Sequence, residues 1–379
     1  MKRLLLLLYV IMFIPSTTAC WDSREVDKFA IVTGMAVDKT EQGKYLVTFE
    51  VADFIQSSEG QTIKSILIES EGESIFEAAR NALNINAPRL YFGHTTVAIF
   101  SKAVAREGML KVLDFFLRDA EPRLSIDLFI SEEETAGEIL RTKPLTSEFV
   151  AVEITDIMDE QKNLSKALAV PAYKFINAMT GEGISGIMTS LRITENNGEK
   201  NVKTSGTAVF KNDRLIGFIN EEDTFALSFI LDEVKGGVLV VDVGNEEKMS
   251  LDIVNNITDV KPASENGELS VKVKLKLKVA LIEHNSARNF NNKEGREALV
   301  KMAREQLKNR IEGIVKKIQN DFGADIFGFG DLFYRDLPKV WKEVRKEWDD
   351  IFKNLKVTVE PEIKLTHTGL LLEPIEIGD

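Results

Sequence analysis

The sequence predicts an α+β protein of more than one domain, a multi-domain ectodomain with mostly antiparallel sheets packed by helices and a long helix in its C-terminal part. Three observations lead there. The chain opens with an export-type segment, so the rest is delivered across a membrane. Strand patterns then recur as meanders and hairpins rather than as strand–helix–strand units built around a glycine-rich turn. Residues 293–322 carry sustained helical periodicity.

The opening segment, MKRLLLLLYVIMFIPSTTACWD, has a positive start at Lys2 and Arg3, an unbroken apolar run over 4–14 and small residues up to Ala19. A helix of that run reaches about 16 Å, about half of a bilayer core, so it targets the chain without spanning stably. Cys20, the only cysteine, follows directly. Bacterial lipoprotein processing uses this arrangement: the thiol takes a diacylglyceryl group and becomes the new N-terminus. Thr17 stands where such signals usually carry leucine. A lone cysteine makes no internal disulfide, and two or more acyl chains would anchor firmly. The bland alternative, a cleaved signal beside a stray thiol, stays open.

Cleavage before Cys20 removes Lys2 and Arg3 and no acid, leaving 46 basic residues against 60 acidic ones, a net charge of −14. That balance argues against a nucleic-acid partner. The 44% apolar content is ordinary for a folded chain, and no later stretch has the apolar length of a membrane span.

Residues 29–37 and 45–51 read as strands around a turn at Gly43, the second with Tyr45, Val47, Phe49 and Val51 on a buried face and Leu46, Thr48 and Glu50 on a mostly wet one. Residues 62–69 give a third strand. A capping box at Ser74 and Glu77 starts a helix whose apolar residues are Ile75, Phe76, Ala79, Leu83 and Ile85, ending before Pro88. A strand over 89–100, a helix over 103–117, a strand over 124–130, a short helix capped from Ser131 and a helical pattern over 149–168 follow. Residues 195–201, polar and turn-rich, read as the main linker. The expected division is a signal peptide over 1–19, an N-terminal α+β region over 20–195, with a further division near 132–144 left open, and a C-terminal α+β domain over 200–379.

Beyond the linker, 203–211 and 214–219 read as a hairpin and 222–233 as a helix. In the strand over 269–282, Leu269, Val271, Val273, Leu275, Leu277, Val279 and Leu281 share one face and Lys272, Lys274, Lys276 and Lys278 the other. The long helix over 293–322 carries Gly313 as a weak point or a close-packing site. A Pro338-led helix over about 338–353 aligns Val340, Trp341, Val344, Trp348, Ile351 and Phe352, and a strand over 355–365 closes the chain.

Chemistry-bearing patterns are sparse. Gly181, Gly183 and Gly186 have dinucleotide-loop spacing, yet a strand-like run follows where the phosphate site needs a helix, so they stand as a flexible loop or a small-ligand contact. His94, His284 and His367 lie far apart, and Asp321, Asp325, Asp331 and Asp336 lack the order of a calcium loop, so no metal and no cofactor is expected. The row Lys272, Lys274, Lys276 and Lys278 reads as contact with anionic headgroups or an acidic partner, or as a solvated face that discourages edge pairing. No nucleophile stands beside a base at recognisable spacing, so an enzyme, a wall hydrolase included, has no constellation to rest on.

With these residues on view, the chain resembles the Ger(x)C family, the lipoprotein C subunits of spore germinant receptors in endospore-forming bacteria. The resemblance rests on Cys20-Trp21-Asp22 with Glu25, on Pro88 to His94, Leu113 to Asp119 and Glu121-Pro122-Arg123, and on Asp325-Ile-Phe-Gly-Phe-Gly330, Pro338-Lys-Val-Trp341, Trp348 and Thr368-Gly-Leu370. It implies an α+β, non-enzymatic subunit lipid-anchored through Cys20 on the outer face of the spore inner membrane. Its implied partners are that membrane, the membrane-embedded A and B receptor subunits and a small-molecule germinant bound by the complex. The alternative is a solute-binding lipoprotein that captures a small nutrient directly.

Overall fold

The apolar strands at the start of the sequence need cover on both sides of a sheet, and helices from two later stretches supply it. A computed structural model describes residues 29–57, 60–86, 88–284, 290 and 292–366. The readings on 1–22, Cys20 among them, on His367 and on 368–370 lie outside the described residues.

β1 (Phe29–Lys39), β2 (Tyr45–Ser57) and β3 (Gly60–Gly72) form the expected antiparallel meander. β4 (Arg89–Tyr91), β5 (Val97–Phe100), β6 (Asp127–Ser131), β7 (Ile187–Asn196), β8 (Glu199–Lys211) and β9 (Arg214–Asn220) complete a nine-stranded sheet of order β3-β2-β1-β5-β6-β7-β8-β9, with β4 also on β1. The run β1-β5-β6-β7 is parallel, between antiparallel flanks. Sequence pattern missed this centre because β5 and β6 are short and buried on both faces, so they show no alternation.

α1 (Ile75–Asn81), α2 (Lys102–Glu107) and α3 (Leu110–Arg118) pack one face of the sheet through Ala78, Val104, Leu113 and Phe116. α4 (Gly137–Leu140) and α5 (Val150–Asp159) pack the other through Ile139, Leu140, Ala151 and Ile154 against Ala36, Val97 and Phe129. α6 (Ala172–Thr180) precedes β7, and α7 (Glu221–Ile230) follows β9. β10 (Val238–Gly244), β11 (Glu247–Glu265), β12 (Glu268–His284) and β13 (Lys356–Leu365) make a second sheet in that order, with β12 and β13 parallel. α8 (Lys293–Lys317) lies on its apolar face through Leu299, Ala303, Leu307 and Ile311, and α9 (Phe329–Asp336), α10 (Pro338–Val344) and α11 (Trp348–Asn354) close the end of the core.

Several expectations change. The polar segment 195–201 folds as a hairpin: its centre is the β7–β8 turn, where Asn197 and Gly198 take positive φ, and the first sheet runs through it to Asn220. The single strand expected over 89–100 is two, β4 and β5. The helix expected over 103–117 breaks into α2 and α3 because Gly108 sits at φ 136 and a Cβ there would come within 2.6 Å of the Asp213 carboxyl. On α1 the small residues Ala78, Ala79 and Ala82 turn inward, while Phe76, Leu83 and Ile85 face out. Ser131 caps no helix but closes a local turn, accepting from Glu133 N and donating to the Thr135 carbonyl. The long helix widens into a π-turn at Ile318–Phe322, and Gly313 faces open space, not a close neighbour. The Trp-bearing helix is interrupted at Arg345–Glu347 by a tighter turn.

The second face of β2 is dry, contrary to its alternation, and Glu50 shows why. Its side chain is fully buried, and its carboxyl oxygens accept from Val150 N at 2.6 Å, Ala151 N at 3.0 Å, Thr33 Oγ1 at 2.8 Å and Ser65 Oγ at 3.1 Å. It thereby caps α5, whose own N-cap residue, Phe149, has no side-chain acceptor. Asp38 does the same for α4, accepting from Ala136 N at 2.7 Å and Gly137 N at 2.9 Å. Two acids on adjacent strands thus pin the two helices of that face. Glu50→Ala is expected to cost about 3 kcal/mol or more, since it strands several buried donors at once. Denaturant unfolding checks this, and a loss below about 1 kcal/mol would show that α5 holds its place without the cap.

Candidate functional site

The residues singled out in the sequence fall mainly at two places. At the first, the glycine loop after α6 meets the aromatic C-terminal helices. Gly183 takes φ +65, and a Cβ on it would stand 2.5 Å from Trp341 Cη2 and 2.6 Å from Gly330 Cα. A Cβ on Gly186 would come 2.5 Å from the Phe175 ring. Glu182 accepts from Trp341 Nε1 at 2.8 Å, and Ser185 N donates to the Asp325 carbonyl at 2.8 Å. The small residues therefore permit close packing, and the chain continues into β7 rather than into a phosphate-binding helix.

Asp325 is the hub of that contact. Its side chain is 4% exposed. One oxygen accepts from Phe327 N and Phe329 N, both at 3.2 Å; the other accepts from Gly330 N at 2.8 Å and Trp348 Nε1 at 3.2 Å. Around it, Phe327 stacks on Phe329 at 5.0 Å, Trp341 meets Trp348 edge-on at 5.2 Å, and Phe333 lies 5.4 Å from Trp348. Gln319 Nε2, from the π-turn, donates to the carbonyls of Phe352 and Leu355. Of the four acids clustered in sequence only Asp325 enters the interior; Asp331 pairs with Arg335 at 3.0 Å. With four donors aimed at it, the carboxyl is occupied in holding backbone and indole, which is structural work rather than acid–base chemistry.

Beside this contact lies a cleft of about 390 Å³ that the sequence did not reveal, because its walls come from distant segments. Leu168, Val170, Phe175, Ile184, Ile187 and Ile326 make it largely apolar. Its charged groups are satisfied locally, Lys174 pairing with Glu233 at 3.1 Å.

The second place is the outer face of the second sheet. Lys272, Lys274, Lys276 and Lys278 all face out from β12. β12 lies between β11 and β13, so guarding a free edge is not their role. Acids interleave with them: Lys272 pairs with Glu360 at 2.6 Å, and the register sets Lys274 opposite Asp259 on one side and Glu360 on the other, with Lys276 opposite Glu362. Such a face is a mixed, solvated one that stays basic on balance, since Lys261 stands opposite Lys272 and Lys364 opposite Lys278.

Burial pushes the Asp325 pKa up to about 7, against the pull of its hydrogen-bond donors. A carboxyl whose folded pKa exceeds its unfolded one holds its proton more tightly in the native state, so its contribution to stability falls as pH rises from about 4 to about 7, by at most about 1.4 kcal/mol per unit. Asp325→Asn is expected to flatten that part of the stability–pH curve. Denaturant unfolding of both chains across the interval measures it, and an unchanged slope would assign the loss to other groups.

A family model described as "Spore germination protein N-terminal domain" matches residues 22–193, and one described as "Spore germination B3/GerAC like, C-terminal" matches 205–369, with the β7–β8 turn lying between the two. The chain is 24% identical to spore germination protein KC of Bacillus subtilis (strain 168), over 99% of this chain and 98% of that one. It is 24% identical to spore germination protein B3 of the same organism, over 92% and 94%, and 21% identical to spore germination protein GerQC of Bacillus cereus, over 98% and 99%. The crystal structure of the GerBC protein superposes with a TM-score of 0.59 at 21% identity, covering 88% of this chain and 96% of that one, so the fold is shared. With both halves matched in order and the α+β architecture in common, the chain belongs to the Ger(x)C family of spore germination proteins.

Proposed function

We propose that the chain is the lipid-anchored C subunit of a nutrient germinant receptor, non-enzymatic, acting in assembly and signalling of the receptor during spore germination. Cys20 holds it on the outer face of the spore inner membrane, beside membrane-embedded A and B subunits. The observation that carries this reading is the match of both halves to spore germination family models, together with relatives of the same length whose names are spore germination proteins. The site's geometry supports it from the other side. The family-like residues 325–330, Trp341 and Trp348 converge on a buried packing hub, as expected of a scaffold that presents surfaces to partners. Among the described residues no helix is long and apolar enough to cross a membrane, which leaves attachment to the lipidated thiol in this reading.

The solute-binding alternative would place its ligand in the cleft beside α6, but the Lys174 and Glu233 side chains that would recognise a charged nutrient there already pair with each other. Cys20→Ala is expected to leave the folded body intact, as read by circular dichroism, and to release it from the membrane fraction of spores. Full retention of the folded variant in membranes would show that protein contacts, not acyl chains, hold the subunit.

A further inference from the structure

One end of the first sheet collects the termini of several strands. β1 begins there at Phe29, β2 finishes and β3 starts there, and β4, parallel to β1, begins there at Arg89. Cys20 lies nine positions before Phe29, a reach of about 30 Å at full extension. A lipid on that thiol therefore draws this end, before any other, toward the bilayer.

The same end exposes large apolar side chains. Ile31 pairs with Ala52, which puts Phe54 level with Phe29, and Phe54 faces Ile63 across β2 and β3. Phe54, Ile63, Ile66 and Leu83 are 37–44% exposed, and Ile85, at 68%, is the most exposed large apolar residue described. Leu83 and Ile85 belong to the turn after α1, which packs on β3 and β4 and aims its alanines inward. By register Phe54, Ile63 and Phe29 share one face of the sheet and Ile66, opposite Val51, lies on the other, so apolar side chains stand on both faces at this end; the half-buried rings of Phe29 and Tyr91 are 5.5 Å apart. Charge is balanced here: Asp53 stands opposite Lys64, and Arg89 pairs with Glu121. Apolar tips and aromatic rings with little net charge suit the headgroup boundary of a bilayer better than water.

We propose that this end, with Phe54, Ile63, Ile66, Leu83 and Ile85 foremost, rests in the headgroup region of the membrane that holds the anchor, so that the bilayer surface is its binding partner and fixes the orientation of the body. The proposal rests on the reading that Cys20 is lipidated. Tethering makes it physically economical, because a patch too weak to bind vesicles alone works at the high effective concentration its anchor imposes.

The test uses the full lipidated chain in vesicles of phosphatidylethanolamine and phosphatidylglycerol without other proteins. With Cys20 acylated, an introduced cysteine is the single free thiol; Ile85→Cys carries an environment-sensitive dye, with Ile63→Cys as substitute should the first variant fold poorly and Lys274→Cys as reference. Flotation reads the anchor and quenching reads the contact. In floating chains the dye at 85 is expected to be quenched about threefold more than the reference by a nitroxide placed near the top of the acyl chain, and to be shielded from iodide in the water. A floating chain whose dye at 85 is as open to iodide as that at 274 overturns the proposal and leaves the anchor standing, and would show that the patch awaits a protein partner. A chain that does not float overturns both.

Discussion

The carboxyl group of Asp325 is the constraint on which the C-terminal half depends. Three backbone donors, Phe327, Phe329 and Gly330, and an indole must converge on two oxygens, and that requirement dictates the tight course of residues 325–330. Once that course is set, Gly330 lies against Gly183, Trp348 is oriented against Trp341, and Trp341 reaches Glu182. The loop between α6 and β7 is thereby tied to helices about 150 residues later, a non-local contact whose ordering cost the aromatic burial must offset. A buried acid with all its acceptor positions in use is a poor catalyst and a good organiser.

Buried acids play the same part in the first sheet. Glu50 and Asp38 each reach from a strand to the bare N-terminus of a helix, where backbone donors have no partner of their own. In all three cases a side chain that alternation or charge would assign to the surface is drawn inside by unpaired amides. The fold is thus held by polar anchors set within apolar layers, and each anchor joins segments that are distant in sequence. Such a body suits a subunit that holds surfaces in fixed relation to one another.

This also explains what the sequence could and could not disclose. The meander β1 to β3 and the β8–β9 hairpin announce themselves by strand-forming residues set around polar turns, and β12 and the long helix α8 by period, since those two have one wet face and one dry one. β5 and β6, dry on both faces, have no period, so the parallel centre was invisible, and with it the continuity of the sheet through Asn197 and Gly198. Phe76, Leu83 and Ile85 match a helical stripe that the structure turns outward, because alanines already fill the space beneath α1. The glycine loop was visible as a motif, but its meaning lay in Trp341 and Gly330, which no local pattern connects to it. Trp341 and Trp348 were legible as buried; the acid that orients Trp348 was one of four similar aspartates and carried no distinguishing signal.

Asp325 couples the C-terminal hub to the glycine loop as one cooperative unit in this structure. Native-state amide hydrogen exchange on Asp325→Ala tests it most directly. The amides of Phe327, Phe329 and Gly330 are expected to lose protection together with that of Ser185, whose acceptor is the Asp325 carbonyl, and by a similar factor. Loss confined to residues 327–330, with Ser185 as protected as in the native chain, would contradict the coupling and leave the loop held by Trp341 alone.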